Sequence, residues 1–222
     1  ATPKTKGQDR SNVLYRVTAA TLKSEDMIKI PIILQVTKDW QTTIFDAVQK
    51  QKELENLAIK EREETKEYIR PIVLMQAQND SEIVSTINTE EIKNYLIHNL
   101  NIPKEQVAIA TGEERGIEGK NLNEENEPIR FIITKQALKE GWDCPYAYVF
   151  CSVANVSSSK DVEQLLGRVL RLPQVKKKEN EELNKAYAFV LSENFYKAAH
   201  DLTDSLIQSG FDAGEASKLI EI

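Results

Sequence analysis

Cysteine and histidine are both scarce in this chain of 222 residues. The two cysteines, Cys144 and Cys151, lie seven positions apart, and His98 and His200 are the histidines. These four residues match neither the ligand spacing of a zinc site nor a disulfide framework. The composition therefore predicts no metal site, and it predicts a protein of the reducing cytoplasm.

Long apolar runs are also absent. The longest, 30–36 and 146–156, are shorter than the roughly 18 residues that a membrane helix needs, and no basic-then-apolar signal segment opens the chain. The remaining composition, with 41% apolar and 29% charged residues and no low-complexity tract, is typical of a globular domain with a hydrophobic core. It excludes collagen, coiled coils and disordered tails.

Basic charge is in short supply. The chain has 29 Lys and Arg against 35 Asp and Glu, which gives a net charge of −6. This balance argues against a protein that simply coats DNA, since attraction to phosphate dominates such binding. The charge is uneven, however: the segment 112–128 holds six glutamates, whereas 168–178 holds five basic residues and no acidic one. A local basic strip can bind phosphate. We expect the acidic segment to be a mobile loop, because its Glu, Asn and Gly residues offer nothing apolar to pack.

Short apolar segments alternate with amphipathic ones along the chain. Strands are predicted over 29–36, 71–76, 107–110, 129–134, 147–153 and 186–191. Helices are predicted over 40–67 with Asp39 as cap, 90–100 with Thr89 as cap, 136–140, 160–170, 193–209 and 213–222. Continuous apolar strands separated by helices indicate an α/β fold with a parallel sheet covered on both faces. Ligands of such sheets bind beyond the carboxyl ends of the strands.

Glycine-rich phosphate loops are missing, but two other segments carry candidate chemistry. Neither G-x-x-x-x-G-K-[ST] nor G-x-G-x-x-G occurs. The first segment, 134–145, contains Gly-Trp-Asp, and the second, 164–173, reads QLLGRVLRLP. On a helix, Arg168 and Arg171 would share a face with Gln164, while Gly167 would allow close backbone approach. Two guanidiniums and an amide suit a polyphosphate, although an ordinary surface pair of arginines remains an alternative.

Together and in this order, the two segments resemble motifs V and VI of superfamily 2 helicases, most closely those of the Res subunit of type III restriction enzymes and of DEAD/DEAH-type helicases. Further segments are similar to motif IV (71–76), to motif IVa (Thr111-Gly112-Glu113) and to the end of motif III (Ala1-Thr2-Pro3). The resemblance implies a RecA-like α/β domain with a mostly parallel sheet and helices on both faces. It divides the chain into a segment leaving a first motor domain (1–28), the second RecA-like domain (29–191) and a C-terminal helical extension (192–222).

The resemblance also implies a role for particular residues. Arg168 and Arg171, assisted by Gln164, would be arginine fingers toward ATP, which the first RecA-like domain of the full-length protein would hold with Mg²⁺. Gly141, Asp143 and Gly167 would line the nucleotide, and Thr111, Gly112 and Thr134 would contact the backbone of single- or double-stranded DNA. A methyltransferase subunit would be a further partner, and any endonuclease activity would lie elsewhere, because nothing after Pro173 resembles a nuclease. The alternatives are a non-catalytic binding module with this fold and an unrelated nucleotide-binding enzyme.

The remaining candidates have plainer explanations. We expect both cysteines to be small buried residues, and both histidines to be packing or surface residues. Trp142 is expected in the core, with stacking on a base as the rival. We interpret Lys176 to Lys178 as a solvated turn, with phosphate contact as the rival, and the charged second half of the first helix, to about Glu67, as a solvated face.

Overall fold

A parallel β-sheet forms the centre of the molecule. The computed structural model describes residues 27–79, 86–112, 114–135, 144–154, 169–191, 200 and 220–221. Its strands are β1 (Ile32–Val36), β2 (Ile72–Gln76), β3 (Val107–Ile109), β4 (Phe131–Thr134), β5 (Ala147–Ser152), β6 (Ala186–Val190) and β7 (Ile220–Glu221). They are ordered β3-β4-β2-β5-β6-β1-β7, and each neighbouring pair is parallel. The predicted α/β class with a parallel sheet is confirmed.

The central strands explain why the sheet is stable. Every residue of β4, β5 and β6 is buried, so both faces of the sheet are covered there. Their side chains are mainly Val, Ile, Phe, Tyr and Ala, which pack well on a pleated surface. The six strands predicted from apolar runs are all present, with ends shifted by up to three residues.

The helix α1 (Trp40–Thr65) connects β1 to β2. Asp39 caps its start as predicted, because the carboxylate accepts a hydrogen bond from the amide of Thr42 at 2.8 Å, and this contact lowers the pKa of Asp39. The helix ends at Lys66 in the left-handed conformation. The second half of α1 was expected to face solvent throughout. This is wrong for Glu61, which is buried and accepts hydrogen bonds from the backbone amides of Glu179 and Asn180.

A shorter helix, α2 (Thr89–Asn94), continues directly into a π-helical turn (Tyr95–Asn99). Its cap is Asn88, whose side chain accepts from the amide of Glu91 at 2.9 Å, so the prediction of Thr89 as the cap is wrong by one residue. The rings of Trp40 and Tyr95 meet edge to face with centroids 5.0 Å apart. This contact places the start of α1 beside the end of α2.

Two sequence-based assignments are corrected by the backbone. The helix predicted over 160–170 includes Val169, but Leu170 is outside it and Arg171 forms an antiparallel bridge with Ile28. The helix predicted over 213–222 is wrong at 220–221, which form β7 beside β1, and 213–219 lie outside the described residues. Pairing with a segment from elsewhere in the chain, antiparallel at Arg171 and parallel at β7, overrides local helical periodicity at both places. The helix predicted over 136–140, and most of those over 160–170 and 193–209, lie outside the described residues.

Candidate functional site

The predicted nucleic-acid contacts lie at one edge of the sheet. Ile109 at the end of β3 is paired with Ile133 of β4, and the amide of Ala110 donates to the carbonyl of Ile133 at 2.8 Å. Thr111 and Gly112 follow β3 directly, and Thr134 is the last residue of β4. The structure therefore brings the three residues together at the carboxyl edge, on neighbouring strands.

These three residues differ in accessibility. Gly112 is exposed and Thr111 half-buried, whereas Thr134 is only 3% exposed. The hydroxyl of Thr111 accepts from the amide of Glu114 at 3.0 Å, and its own amide donates to the carbonyl of Glu114 at 2.7 Å. The loop after β3 is thus a tight turn closed on itself, with Gly112 at its surface.

A second glycine, which the sequence reasoning did not single out, shapes this turn. The amide of Gly116 donates to the carbonyl of Ile109 at 2.9 Å, and a Cβ at Gly116 would lie 2.5 Å from that carbonyl oxygen. A Cβ at Gly112 would meet nothing within 4 Å. Gly116 is therefore the glycine that close backbone approach requires, and its place five residues after Thr111 was the available signal.

Two polar strand ends were also missed. Ser152, the last residue of β5, donates from its hydroxyl to the side-chain oxygen of Gln76, the last residue of β2, at 2.9 Å. The chain leaves these adjacent strands in opposite directions, from β2 toward β3 and from β5 toward β6. Such a switch point is where ligands of α/β sheets bind, and a polar residue ending an otherwise apolar strand was the signal in the sequence.

Arg171 lies at the opposite edge. It is exposed, and its backbone pairs with residues 27–29, which precede β1: the amide of Leu172 donates to the carbonyl of Met27 at 3.0 Å, and the amide of Lys29 donates to the carbonyl of Leu170. Five-residue strands separate the two edges by about 17 Å. The predicted nucleotide contact and the predicted nucleic-acid contacts are thus at different ends of the sheet, contrary to the expectation that all lie beyond the carboxyl ends.

The other predicted nucleotide residues cannot be placed in the same way. Gln164, Gly167, Arg168, Gly141 and Asp143 lie outside the described residues, as does Trp142. Their roles stay predictions.

The lysines after Pro173 are engaged within the protein. Lys178 has a fully buried side chain, and its ammonium donates to Glu67 at 2.8 Å and to Gln174 at 2.8 Å. Lys176 also binds Glu67, and hydrogen bonds from both lysines lower the pKa of Glu67. The expectation of a solvated turn is therefore wrong for Lys178, because its ammonium is buried in an ion pair with Glu67, just after the end of α1.

Glu61 anchors the next stretch of the same segment. Its two carboxylate oxygens accept from the amides of Glu179 at 3.1 Å and Asn180 at 2.9 Å. Backbone amides supply the partners that a buried carboxylate needs.

The acidic segment 112–128 is packed, contrary to expectation. Leu122 is 8% exposed and Ile117 packs against the core. Arg70, itself 1% exposed, donates to the carbonyls of Leu122, Glu124 and Glu127. The apolar residues that pack this segment are single ones between charged neighbours, which is why composition alone did not indicate them.

The expectations for the cysteines and histidines hold. Cys144 and Cys151 are buried free thiols, and burial raises the pKa of both, so neither is a ready nucleophile. His98 and His200 are exposed. Over the part of the chain that the structure describes, no cluster of three or more potential metal ligands occurs. Within the same part, every helix is too short or too polar to cross a bilayer.

Comparison with known proteins finds partial relatives, and no family model matches the chain. The Res subunit of the type III restriction-modification enzyme EcoPI, from Escherichia phage P1, is 42% identical over 48 residues, which are 22% of this chain. The matched stretch spans about 5% of the length of that curated relative.

The solved structures that resemble the chain are distant. Domain 2 of the DEAD-box helicase Mss116p, bound to an RNA duplex, has a TM-score of 0.48 and 13% identity, over 79% of this chain and 60% of that one. The ATP-dependent type ISP restriction-modification enzyme LlaBIII, bound to DNA, has a TM-score of 0.46 and 14% identity, over 88% of this chain and 15% of that one. The predicted resemblance to Res subunits is therefore confirmed over the 48 matched residues, within an α/β domain built on a parallel sheet.

Proposed function

We propose that this chain is the second motor domain of an ATP-dependent DNA helicase or translocase, of the kind found in the Res subunit of type III restriction enzymes. The observation that carries the proposal is the pair of segments, Gly-Trp-Asp and Gly-Arg-x-Leu-Arg-Leu-Pro, in that order on a parallel α/β sheet. The exposure of Arg171 supports it. A restriction subunit of this type would act in the cytoplasm, with a methyltransferase subunit as a partner.

The chemical part of the proposal assigns Arg168 and Arg171 to the phosphates of ATP, with Gln164 assisting them. A guanidinium is permanently charged and presents a planar fork of donors, which suits the charge that develops on a transferring phosphoryl group. An arginine in this role typically accelerates phosphoryl transfer by about 10³ to 10⁵, or roughly 4 to 7 kcal/mol. Mg²⁺ would be held with the ATP phosphates by the first motor domain, and no step assigned to this chain passes through it.

The mechanical part follows from the two edges of the sheet. Gly112 and the turn after β3 are accessible at the carboxyl edge, where Thr111 and Gly112 would contact backbone phosphates through neutral donors. Thr134, predicted for the same role, is 3% exposed and too buried to make that contact in this conformation. Arg171 lies at the other edge. The buried strands between them transmit movement as one packed body, so that closure onto ATP at one edge would shift the grip on DNA at the other.

The test uses the full-length protein that contains this chain. We expect Arg168→Ala and Arg171→Ala each to lower kcat by about 10³-fold or more while the Kd for ATP changes little, since the lost interaction is made mainly in the transition state. Lysine should not restore activity, because it lacks the planar fork. Arg62→Ala is the matched control, since Arg62 also lies near the surface but pairs with Glu125.

The outcomes separate the proposal from its rival. Near-wild-type turnover in both finger variants would refute the assignment and favour a non-catalytic binding module. The 222-residue chain alone is expected to show no ATP hydrolysis above the uncatalysed background rate, with or without DNA, because it lacks a phosphate loop.

A further inference from the structure

Lys29 is a fully buried lysine at the meeting point of the two segments that carry the proposed chemistry. Its side chain is 0% exposed. The ammonium donates to the carbonyl of Pro145 at 3.0 Å and to the carbonyl of Arg171, and it lies 4.2 Å from the ring centroid of Tyr148. Pro145 closes the Gly-Trp-Asp segment, and Arg171 belongs to the arginine segment.

Burying an ammonium is costly unless hydrogen bonds and other favourable contacts replace its water. Here two carbonyls and an aromatic face do so. The two carbonyls are 26 residues apart in the chain, yet one side chain holds both. An apolar residue would fill this space without that cost, but it could not bind both carbonyls and so join the two segments.

The backbone around Lys29 also binds the arginine segment. Residues 27–29 run antiparallel to 170–172, with the bridge at Ile28 and Arg171. Because Arg171 lies beyond the end of its helix, helical geometry does not determine where its side chain projects. The bridge and the Lys29 ammonium, which bind the backbone around Arg171, instead hold the point from which that side chain projects.

We propose that Lys29 is a positioning residue that holds the Arg171 backbone against the end of the Gly-Trp-Asp segment, so that the Arg171 guanidinium projects toward the nucleotide. This inference rests on the proposed function. Lys29 also joins the residues that precede β1 directly to the arginine segment, so that these two segments move together.

The decisive experiment is a double-mutant cycle in the full-length protein. We expect Lys29→Met to lower kcat about 10-fold or more with a Kd for ATP within about 2-fold of wild type. In the Arg171→Ala background, the same change should lower kcat by less than about 2-fold, since residues that act through one another are not additive. An equal loss in both backgrounds would overturn the proposal and leave Lys29 a general structural residue.

Two further variants serve as controls for the double-mutant cycle. Lys50→Met is the matched control: the Lys50 ammonium also lies over a tyrosine ring, 4.7 Å from the centroid of Tyr187, and it pairs with Glu53. It should leave kcat unchanged in both backgrounds. If Lys29→Met does not fold, Lys29→Gln, which keeps one side-chain amide donor, replaces it in the cycle with a smaller expected loss.

Hydrogen exchange separates failure of this inference from failure of the proposed function. In Lys29→Met, the amide of Leu172, which binds Met27, should lose protection, whereas the amide of Ala77, which binds Thr134 within the sheet, should keep it. Unchanged protection at Leu172 would overturn the positioning role. Near-wild-type turnover in both Arg168→Ala and Arg171→Ala would instead refute the proposed function, and the exchange result would then decide the role of Lys29.

Discussion

Replacing Arg70 by methionine tests whether one buried side chain holds the acidic segment in place. Arg70 is 1% exposed, and its guanidinium binds three backbone carbonyls between residues 122 and 127. Methionine is apolar and matches the aliphatic stem of arginine, so it fills part of the space while it removes every donor.

The expected loss follows from the surroundings of the three bonds. The contact with the Leu122 carbonyl is buried, and leaving that carbonyl dry costs about 1–3 kcal/mol. The contacts with Glu124 and Glu127 are half-buried, so their carbonyls can bind water again, at about 0.5–1.5 kcal/mol each. We expect Arg70→Met to lower the free energy of unfolding by about 2–6 kcal/mol, a large part of the 5–15 kcal/mol typical of a domain.

The assay is urea unfolding of the 222-residue chain, followed by far-UV circular dichroism. Arg62→Met is the control, because Arg62 binds the same segment through an exposed ion pair with Glu125, and such pairs contribute little. It should leave the midpoint within error of wild type. A loss below about 1 kcal/mol in Arg70→Met, with an unchanged slope in urea, would refute the view that Arg70 holds this segment.

Two further predictions concern the turn after β3 and the end of α1. Gly116→Ala should cost about 1–3 kcal/mol through the clash with the Ile109 carbonyl, whereas Gly112→Ala should be near neutral; thermal unfolding of both variants decides this, and equal effects would contradict it. The lowered pKa of Glu67 stabilises the fold above the ordinary carboxyl value of 4.5, and this contribution disappears as the pH falls through the folded-state pKa. Glu67→Gln should therefore be less stable than wild type at pH 7, with the two stabilities converging in urea titrations as the pH falls below 4.5 and Glu67 becomes protonated; a constant difference would contradict the assignment.

The sequence allowed the sheet and its first helix to be predicted, because apolar runs and capping chemistry are local signals. Asp39 was identifiable as a cap from its position before an apolar repeat, and its contact with Thr42 bears this out. The roles of Lys29 and Arg70 could not be predicted, because each binds carbonyls that are distant in the chain. A charged residue beside apolar neighbours looks the same in the sequence whether it is solvated or buried.

The candidate site was predictable in parts. The residues after β3 and β4 were expected at the carboxyl edge, and parallel pairing places them there. Arg171 was expected on a helical face, but the helix stops before it and a bridge to Ile28 takes over. Pro173 indicates that the helix ends nearby, but periodicity does not indicate at which residue it ends.

The short strand β7 bears on how the chain can be shortened. Ile220 and Glu221 pair with Ile32 and Ile33, so the last residues of the chain cover the outer side of β1. A chain cut after residue 191 would present those β1 amides and carbonyls to solvent, and an uncovered strand edge is a template for pairing between molecules. We expect such a truncated chain to self-associate, as light scattering would show, and an expression boundary for this domain should therefore lie beyond residue 221.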